Sequence, residues 1–417
     1  MYAYWQEDIR PSNKRGIFTA NIFRKENTMR NFDFQNATRI IFGKDAEKSV
    51  GADLKPSASH VLFVHYGDGM IEKLGLYDTV CRSLREAGIR YSEFSGIQPS
   101  PVLSKVREGI EYCRNNSVDY LLAVGGGSVM DTAKAIAAGV PYQGDVWDYF
   151  DGKGGPLTEA LPTAAIVTYP ATGSETNTGC VITNEDGMYK RWIDANVLRP
   201  QIAYLNPELT YSLPPYLTAC GIADMFTHAL ERYMCNDWHV DLSDRIGEGC
   251  LRSILYTARD VMAAPGDYNA RAEIMYAGLF ANNGYISIGK QCGWESHAIG
   301  HELTAFYGVA HGATLSIIYP AWMRYVRKAN PQRFLQFASR VFNVDYAYNR
   351  AEDAIEEGIC RMENFFRSIG LPVRMGDIDI DGSQITAMAK KACSMGPLDG
   401  IMPLHEKDVE AIYRLAL

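Results

Sequence analysis

The stretch DYLLAVGGGSVMDTAKAIAAG, residues 119–139, decides the fold class. It joins an apolar run typical of a buried strand to a turn of Gly125, Gly126 and Gly127, followed by a helical pattern from about Val129 with Ser128 as N-cap. A glycine turn lets backbone amides approach a pyrophosphate, and the positive end of the following helix attracts its charge. The spacing is neither the GxGxxG of the usual dinucleotide fingerprint nor a P-loop. It predicts a phosphate-binding turn; the alternative is a purely structural one.

A second loop, TYPATGSET at residues 168–176, also follows an apolar run and combines hydroxyl and amide donors. Two such loops at the carboxyl ends of strands fit a nucleotide that lies across the edge of a parallel sheet. Asp131 and Lys134 lie on the first turns of the helix after the glycine turn. Their simplest interpretation is a solvated pair at a helix start.

The two halves of the chain differ in their pattern of apolar residues. From about Arg39 to Leu205, short Val- and Ile-rich runs alternate with helical spacing, whereas long amphipathic segments follow Pro214 and Pro215. We predict a dinucleotide-binding α/β domain over residues 29–212 and a helical, metal-binding domain over residues 213–417, with a cleft between them. The runs that predict strands are RIIFG (39–43), HVLFVHYG (60–67), DYLLAVGGG (119–127), TAAIVTYP (163–170) and PQIAYLNP (200–207).

Composition narrows the class of partner. The chain has 417 residues, of which 47% are hydrophobic and 22% charged, so it can bury a large core. A formal net charge of −8 without basic clusters argues against a nucleic-acid partner. No apolar run approaches the roughly 20 residues that span a bilayer, so we predict no membrane segment.

Cysteine usage and the amino terminus indicate the compartment. The nine cysteines are odd in number, scattered and never in CxxC spacing, which favours free thiols in a reducing cytoplasm. The first 28 residues lack the apolar core and cleavage site of a secretory signal. Because Met29 precedes the first strand-like segment, we interpret residues 1–28 as an N-terminal extension of a cytoplasmic protein.

Four of the eight histidines lie in two short windows. Asp224 and His228 are four residues apart, so a helix places them on one face. His297 and His301 have the same spacing, and His311 follows after a turn. A carboxylate and neutral imidazoles form a donor set for Zn²⁺ or Fe²⁺, which accounts for both windows better than isolated core histidines. The windows are GIADMFTHALERYM (221–234) and GWESHAIGHELTAFYGVAHG (293–312).

A zinc protease is the competing explanation for the second window. Residues 301–311, HELTAFYGVAH, match the HExxHxxGxxH signature except that Ala305 replaces the middle histidine. This interpretation loses one ligand of three and leaves Asp224, His228 and both glycine loops without a role. The metal site predicted above is therefore preferred.

Together these motifs resemble the iron-dependent (group III) alcohol dehydrogenase family, in particular its butanol-dehydrogenase-like branch. The resemblance extends from about Met29 over nearly the whole chain. It implies a dehydroquinate synthase-like fold, in which a Rossmann-like α/β domain and an all-α domain flank the active-site cleft. The motifs that carry it are GGGSVMDTAKAIA (125–137), PATGSE (170–175), LPPYLTACGIADMFTHALERY (213–233) and the run from His297 to His311.

The resemblance also implies roles for individual residues. The metal ligands would be Asp224, His228, His297 and His311, with Fe²⁺ or Zn²⁺ as the ion. His301 would lie near the nicotinamide and assist proton transfer. The residues that would contact or lie beside NAD or NADP are Gly126, Gly127, Ser128, Asp131, Thr168, Thr172 and Lys190.

Two departures from the family pattern bear on the cofactor. Relatives often carry Pro-Asn-Pro where this chain has a serine, Ser100, between two prolines. They also often carry GGGS where this chain has Gly67, Asp68 and Gly69 before a methionine, and we predict that these three residues contact the cofactor. A carboxylate near the adenosine ribose accepts a hydrogen bond from a 2′-hydroxyl and repels a 2′-phosphate, so Asp68 favours NAD over NADP.

The predicted reaction is hydride transfer between nicotinamide C4 and a short-chain primary alcohol or aldehyde, such as butanol or butanal. The metal would polarise the substrate oxygen as a Lewis acid, and His301, whose imidazole titrates near neutral pH, would relay the proton. Aromatic residues near the ligands are candidates for an apolar substrate channel, although helix packing is their simpler interpretation. They are Phe226, Trp294, Phe306 and Tyr307.

Two alternative functions come from other classes: a metal-dependent lyase of similar fold and a noncatalytic metal and nucleotide sensor. No cluster of Lys or Arg neighbours the predicted ligands in the sequence, which argues against the phosphorylated substrate of the lyase. The intact ligand set and both glycine loops argue against the sensor. As in relatives, an edge strand around residues 31–43 predicts a homodimer through pairing with its twin.

Overall fold

The computed structural model describes residues 29–346 and 349–417, so the predicted extension over residues 1–28 lies outside the described residues. All five apolar runs form strands, which confirms those predictions. Three further strands were not predicted, because they are partly exposed and carry many polar side chains. The strands are β1 (Arg39–Phe42), β2 (His60–His65), β3 (Arg90–Phe94), β4 (Tyr120–Gly125), β5 (Thr163–Val167), β6 (Gly179–Asn184), β7 (Tyr189–Asp194) and β8 (Ile202–Leu205).

Six of these strands form one parallel sheet in the order β1-β8-β5-β4-β2-β3, while β6 and β7 pair as a separate antiparallel hairpin. Successive side chains of β2 enter different cores: Leu62 and Val64 pack on one face of the sheet, Val61 and Phe63 on the other. Both faces are therefore covered, which explains why the central strands are apolar throughout. The predicted parallel α/β domain is confirmed.

Helices connect the strands of this half. The helix after the glycine turn packs against β4 and against the helix before that strand, which gives the short crossover of a parallel βαβ unit. The intervals of helical spacing between the apolar runs therefore contain helices, for example over residues 103–116. The helices are α1 (Val50–Leu54), α2 (Met70–Lys73), α3 (Leu76–Glu86), α4 (Leu103–Asn116), α5 (Gly127–Gly139) and α6 (Trp147–Phe150).

The carboxyl-terminal half is helical, as predicted. Two of its helices, α7 and α11, are buried around most of their circumference and form the centre of a large apolar core. None of the helices in the described residues is long and apolar enough to cross a bilayer. The helices are α7 (Pro215–Tyr233), α8 (Asp241–Ala263), α9 (Tyr268–Ala281), α10 (Glu295–Tyr307), α11 (His311–Val326), α12 (Pro331–Phe342), α13 (Ala351–Ser368), α14 (Ile385–Ala392) and α15 (Glu406–Leu415).

The chain passes from sheet to helices between the end of β8 and the start of α7. A proline begins α7, where its missing N–H costs no intrahelical hydrogen bond. The division at residue 212 falls in this interval and stays a prediction. Short 3₁₀ turns occupy Ala46–Ser49, Asn196–Leu198, Pro207–Thr210, Tyr285–Ser287, Arg327–Ala329 and Met375–Ile378.

Candidate active site

A cavity of about 1300 Å³ lies between the carboxyl edge of the sheet and the helices α7, α10 and α11. Its wall includes residues from the glycine turn, from the loop after β5 and from both histidine windows. A pocket at the carboxyl ends of parallel strands is the usual ligand site of such folds. The glycine-containing loops and the histidine windows, found separately in the sequence, therefore line the same cavity.

The glycine turn forms the start of α5. Gly126 is the N-cap and the helix begins at Gly127, two residues before the predicted start at Val129, so Ser128 is helical rather than the cap. Gly127 and Ser128 line the cavity. A Cβ atom on Gly127 would lie 2.5 Å from Thr172 Cγ2, so a side chain there would collide with the loop after β5. The first-turn amides of a 13-residue helix thus open onto the cavity, where they can hold a phosphate.

Asp131 and Lys134 are buried, so the solvated-pair interpretation is wrong. Asp131 Oδ1 accepts from Ser174 Oγ at 2.7 Å, and Oδ2 accepts from the Val181 amide at 2.9 Å. Lys134 Nζ donates to the Gly179 carbonyl at 2.9 Å. The pair therefore ties α5 to the loop after β5 and to β6. Asp131 also lines the cavity, but both of its oxygens already have protein partners.

The other predicted cofactor residues lie at or beside the cavity. Asp68 is exposed at its wall, and its Oδ1 accepts from the Met70 amide at 3.0 Å. Lys190 projects from β7, and burial lowers its pKa to about 8 although nearby carboxylates oppose that shift. Gly69 and Gly126 adjoin the wall in sequence without lining it. The predicted residues that line the cavity are Gly67, Asp68, Gly127, Ser128, Asp131, Thr168, Thr172 and Lys190.

The predicted metal ligands converge at one end of the cavity. Among the described residues, Asp224, His297 and His311 form a group whose ligand atoms all lie within 4.8 Å of one another. His228 lies beside this group: its Nδ1 is 3.7 Å from Asp224 Oδ1, and its ring stacks on His297 at 4.7 Å between centroids. Helical spacing brings Asp224 near His228, and the left-handed turn at Gly308 admits His311.

These side chains fit a divalent cation. Asp224 Oδ1, His228 Nδ1, His297 Nε2 and His311 Nδ1 are buried, and none has a hydrogen-bond partner. Four unsatisfied buried polar atoms on neighbouring side chains are costly unless a ligand satisfies them. Burial raises the pKa of Asp224 to about 7 and lowers that of His297 to about 3. Neutral imidazoles offer lone pairs, and the set of one carboxylate and three imidazoles suits Fe²⁺ or Zn²⁺.

Glu231 supports this group and was missed in the sequence. Its Oε1 lies 3.0 Å from His297 Nδ1 and accepts from Ser296 Oγ at 2.5 Å. A proton on His297 Nδ1, shared with the carboxylate, leaves the lone pair on Nε2 for a metal. The available signal was an acidic residue three positions after His228 on a mostly apolar helix.

His301 lines the cavity with its ring 5.0 Å from the ring of His311, but it lies outside the three-residue group. The protease alternative required His301 as a ligand and gains no support from this arrangement. Burial lowers the pKa of His301 well below its ordinary value, and the charge of Lys190 adds to the effect. Burial therefore favours the neutral form of the imidazole, and the proton-transfer role of His301 stays a prediction.

Most of the predicted aromatic channel is absent. Trp294 lines the cavity, whereas Phe226 is fully buried against Phe365 and Phe366 in the helical core. Phe306 and Tyr307 also lie outside the cavity wall. Helix packing is the correct interpretation for Phe226 and Tyr307, whereas Phe306 is exposed. The prediction that no cationic side chains cluster near the predicted ligands holds along the sequence but is wrong for the folded structure. Lys190, Arg199 and Arg232 all line the same cavity.

Family models match both halves of the chain. The model for iron-containing alcohol dehydrogenase covers residues 37–207, and the model for the carboxyl-terminal part of the Fe-containing alcohol dehydrogenase family covers residues 218–417. These matches favour a dehydrogenase over the lyase and sensor alternatives.

Individual relatives agree with the family models. The chain is 38% identical to a probable NADH-dependent butanol dehydrogenase 1 of Bacillus subtilis, over 93% of this chain and all of the relative. It is 36% identical to an NADPH-dependent aldehyde reductase of Escherichia coli, over 87% of this chain and 93% of that protein. The crystal structure of an NADH-dependent butanol dehydrogenase A from Thermotoga maritima matches with a TM-score of 0.89 at 38% identity, covering 93% and 99% of the two chains. The chain therefore belongs to the iron-containing alcohol dehydrogenase family of metal- and NAD(P)-dependent oxidoreductases.

Proposed function

We propose that this enzyme interconverts short-chain aldehydes, such as butanal, and their primary alcohols, with NADH as the preferred hydride donor. The observation that carries the proposal is the shared cavity, in which the amino terminus of α5 and the unsatisfied group around Asp224 face one space. A phosphate-holding turn and a cation site in one cleft are the parts that a metal-assisted hydride transfer needs. Butanol dehydrogenases among the relatives support the substrate class.

Asp224, His228, His297 and His311 would hold the metal, with Fe²⁺ proposed and Zn²⁺ as the alternative. Their unpaired buried atoms support this ligand set. A bound divalent metal supplies Lewis-acid polarisation of the substrate oxygen. Glu231 would fix the ring of His297, and a partner of this kind typically contributes about 10- to 100-fold in metal affinity.

The cofactor would lie with its pyrophosphate on the first-turn amides after Gly126 and Gly127, beside the Ser128 hydroxyl. Thr168 and Thr172 would line its path towards the metal, and Lys190 would contact it from β7; their places on the cavity wall support these roles. The carboxylate of Asp131 would act mainly by holding the surrounding loops, since both of its oxygens are occupied.

NADH is favoured over NADPH because of Asp68, which together with Gly67 and Gly69 would bound the adenosine ribose. The carboxylate would accept from a 2′-hydroxyl and repel a 2′-phosphate. The names of several relatives include NADH dependence, although one reductase is NADPH-dependent.

His301 would exchange a proton with the substrate oxygen. A buried neutral imidazole can accept a hydrogen bond from an alcohol, or donate one to an aldehyde, without carrying a resting charge. In His301→Ala, turnover should fall by about 10²- to 10⁴-fold while bound metal stays constant. Loss of the metal would instead make His301 a ligand and refute this role.

We also propose a homodimer in the cytoplasm. The strand β1 lies at the edge of the sheet and exposes Ile40 and Phe42, which would be covered by pairing with a second copy. Light scattering coupled to size exclusion tests the dimer, and a monomer with unaltered activity would refute it. All nine cysteines are free thiols, which supports a reducing compartment.

The decisive experiment is anaerobic purification followed by metal analysis and a nicotinamide absorbance assay. Butanal is supplied with NADH or NADPH, before and after addition of Fe²⁺ or Zn²⁺. Metal-dependent oxidation of NADH supports the proposal, and the better metal identifies the ion. A stoichiometrically loaded enzyme that turns over no aldehyde or alcohol would refute the substrate assignment.

A further inference from the structure

Arg232 presents an unpaired positive charge to the cavity. It lies on α7, one helical turn after His228, and forms part of the cavity wall. Its Nη2 donates to Asn282 Oδ1 at 3.3 Å, whereas its Nε is buried without a hydrogen-bond partner. Among the described residues, no carboxylate forms an ion pair with it. Burial lowers the pKa of Arg232, but a guanidinium remains charged at neutral pH.

Two other largely buried arginines pair with carboxylates, and a third, Arg271, instead donates to the Pro265 carbonyl and to Thr218 Oγ1. Arg333 contacts Asp244 Oδ2 at 2.6 Å, and Arg324 pairs with Glu363. A buried charge is costly without a partner of opposite sign. Since Arg232 faces the cavity rather than a packed core, a ligand is the natural source of the missing negative charge.

Trp294 connects this charge to the metal end of the cavity. The guanidinium carbon of Arg232 lies 4.1 Å from the centre of the Trp294 ring. The same ring lies 4.9 Å from the ring of His297 and 5.7 Å from that of His228. The indole therefore forms an apolar wall between the guanidinium and the imidazoles that would hold the metal. Four residues of helix separate His228 from Arg232 by about 6 Å along the axis of α7.

We propose that Arg232 binds a carboxylate on the substrate, so that the preferred substrates are aldehydes and alcohols with a carboxylate at the far end of a short chain. This inference rests on the proposed dehydrogenase function and names the substrate class of the same site. The reacting oxygen lies at the metal end, the methylene chain packs along Trp294, and the carboxylate meets the guanidinium. A chain of roughly four or five carbons suits the spacing of one helical turn.

The charges around Arg232 favour a carboxylate over a phosphate. A guanidinium offers two parallel donors that match the two oxygens of a carboxylate. Asp194, exposed on the cavity wall, attracts Arg232 electrostatically without pairing with it and would repel a dianion more than a monoanion. Arg199, the other guanidinium on the wall, already donates to the Thr176 carbonyl.

Matched substrates test this on the unaltered, metal-loaded enzyme. We would measure kcat/KM for butanal, 4-oxobutanoate, 5-oxopentanoate and the methyl ester of 4-oxobutanoate, which keeps the chain but removes the charge. The free acid should exceed its ester by at least about tenfold, as expected for a charge-assisted hydrogen bond. Equal values for acid and ester would overturn the inference.

Variants then identify the residue. In Arg232→Met the ratio of acid to ester should fall by about 10- to 100-fold. Arg232→Lys should keep part of the preference for the acid over the ester, because lysine retains the positive charge but lacks the two parallel donors of a guanidinium. Arg82→Met, on the exposed face of α3, is the matched control and should leave the ratio unchanged. An unchanged ratio in Arg232→Met, or a higher KM for NADH alone, would overturn the carboxylate role.

Calorimetric titration with butanoate provides a readout without turnover. Butanoate should bind the metal-loaded enzyme, and Arg232→Lys should weaken that binding even if the methionine variant does not fold. Butanoate binding that is identical in the wild type and Arg232→Lys would overturn the inference. If butanal is reduced but the acid has no advantage, this inference fails alone. If the loaded enzyme reduces none of the aldehydes, the proposed function fails and the inference falls with it.

Discussion

The helical half buries carboxylates in two contrasting ways. Asp244 lies in a cluster of opposite charges: Arg333 Nη1 and Gln336 Nε2 donate to its Oδ2 at 2.6 and 2.9 Å. Lys290 Nζ lies 2.6 Å from Oδ1 as an ion pair rather than an aligned hydrogen bond. Burial alone would raise the pKa of Asp244, but the charges of Lys290 and Arg333 outweigh it and hold that pKa below its ordinary value.

Asp224 is buried without such partners. The nearest basic atoms to its Oδ1 are His311 Nε2 at 3.6 Å and His228 Nδ1 at 3.7 Å, beyond hydrogen-bond distance. Burial raises the pKa of Asp224 to about 7, and the more distant charge of Lys190 only partly opposes it. The two aspartates therefore differ in what balances their negative charge: cationic side chains for Asp244 and, as proposed above, a metal for Asp224.

The difference separates structural from functional acids without reference to any relative. A buried carboxylate that the fold has already paired stabilises the fold, whereas one left unpaired beside other unsatisfied donors indicates a ligand. Substitutions at the two kinds of position should therefore affect different observables. Structural acids should affect the free energy of unfolding, and the unpaired acid should affect metal content and turnover.

The largest expected effect is on activity in Asp224→Asn. Loss of a charged ligand should lower bound metal well below one ion per chain and reduce kcat/KM by at least about 10³-fold, because Lewis-acid stabilisation is worth several kcal/mol. In the metal-free state this variant should be at least as stable as the wild type, because no native pair is broken and a buried carboxylate with a raised pKa is removed. Metal analysis and urea unfolding check both parts. Full metal content in the variant would contradict the proposed difference between Asp224 and Asp244.

The opposite result is expected for Asp244→Asn. Removing this charge leaves Lys290 and Arg333, both with fully buried side chains, without a carboxylate. The free energy of unfolding should fall by about 3–5 kcal/mol, as when one member of a buried ion pair is lost. Urea unfolding of the metal-free proteins measures it, with Asp241→Asn, exposed on the same helix, as control. A loss below about 1 kcal/mol would show that the cluster is not structural.

A smaller, pH-dependent effect is expected for Glu363→Gln. Burial alone would raise the pKa of Glu363, but hydrogen bonds from Arg324 and Arg374 hold it below the ordinary 4.5. The stability that this carboxylate contributes is therefore fully present above about pH 4.5 and is lost as pH falls through the lower folded-state pKa. At neutral pH the variant should be less stable by about 1–3 kcal/mol, and the difference should shrink below pH 4.5.

Urea unfolding at pH values from about 3 to about 7 measures this convergence. Glu357→Gln on the exposed face of the same helix is the control, because its partner Arg361 is also solvent-accessible. If the free energies of unfolding of Glu363→Gln and the wild type differ by the same amount at every pH, a paired structural role for Glu363 is excluded.

The sequence predicted most of the sheet because its strands are buried on both faces. Continuous apolar runs such as those of β2 and β4 have few alternative explanations in a chain of this composition. The edge strand β3 and the hairpin β6–β7 were missed, since half-exposed strands mix polar and apolar side chains. The hairpin matters to function because it carries Lys190, whose place was inferred from family resemblance rather than from its strand.

The proximity of Asp224 and His228 was predictable because helical spacing places them on one face, whereas the choice of His297 and His311 over His301 as ligands came from family resemblance. Spacing within one helix does not reveal which other helix lies opposite, so Glu231 and Arg232 were missed, and the channel and core interpretations of Phe226 both stayed open. Each of these depends on how α7 packs against α10 and α13 rather than on local periodicity.

Asp68 is intermediate between the two kinds of carboxylate and carries the smallest expected effect. Its Oδ1 accepts from the Met70 amide, while Oδ2 has no hydrogen-bond partner among the described residues, and Asp68 is exposed on the cavity wall. We expect Asp68→Gly to shift the ratio of kcat/KM for NADH over NADPH by roughly tenfold towards NADPH. Asp68→Asn separates two causes, because asparagine keeps the acceptor for Met70 but removes the charge. Equal shifts in both variants would assign cofactor choice to the charge, a shift in Asp68→Gly alone would assign it to the turn, and no shift would leave Asp68 as a turn residue only.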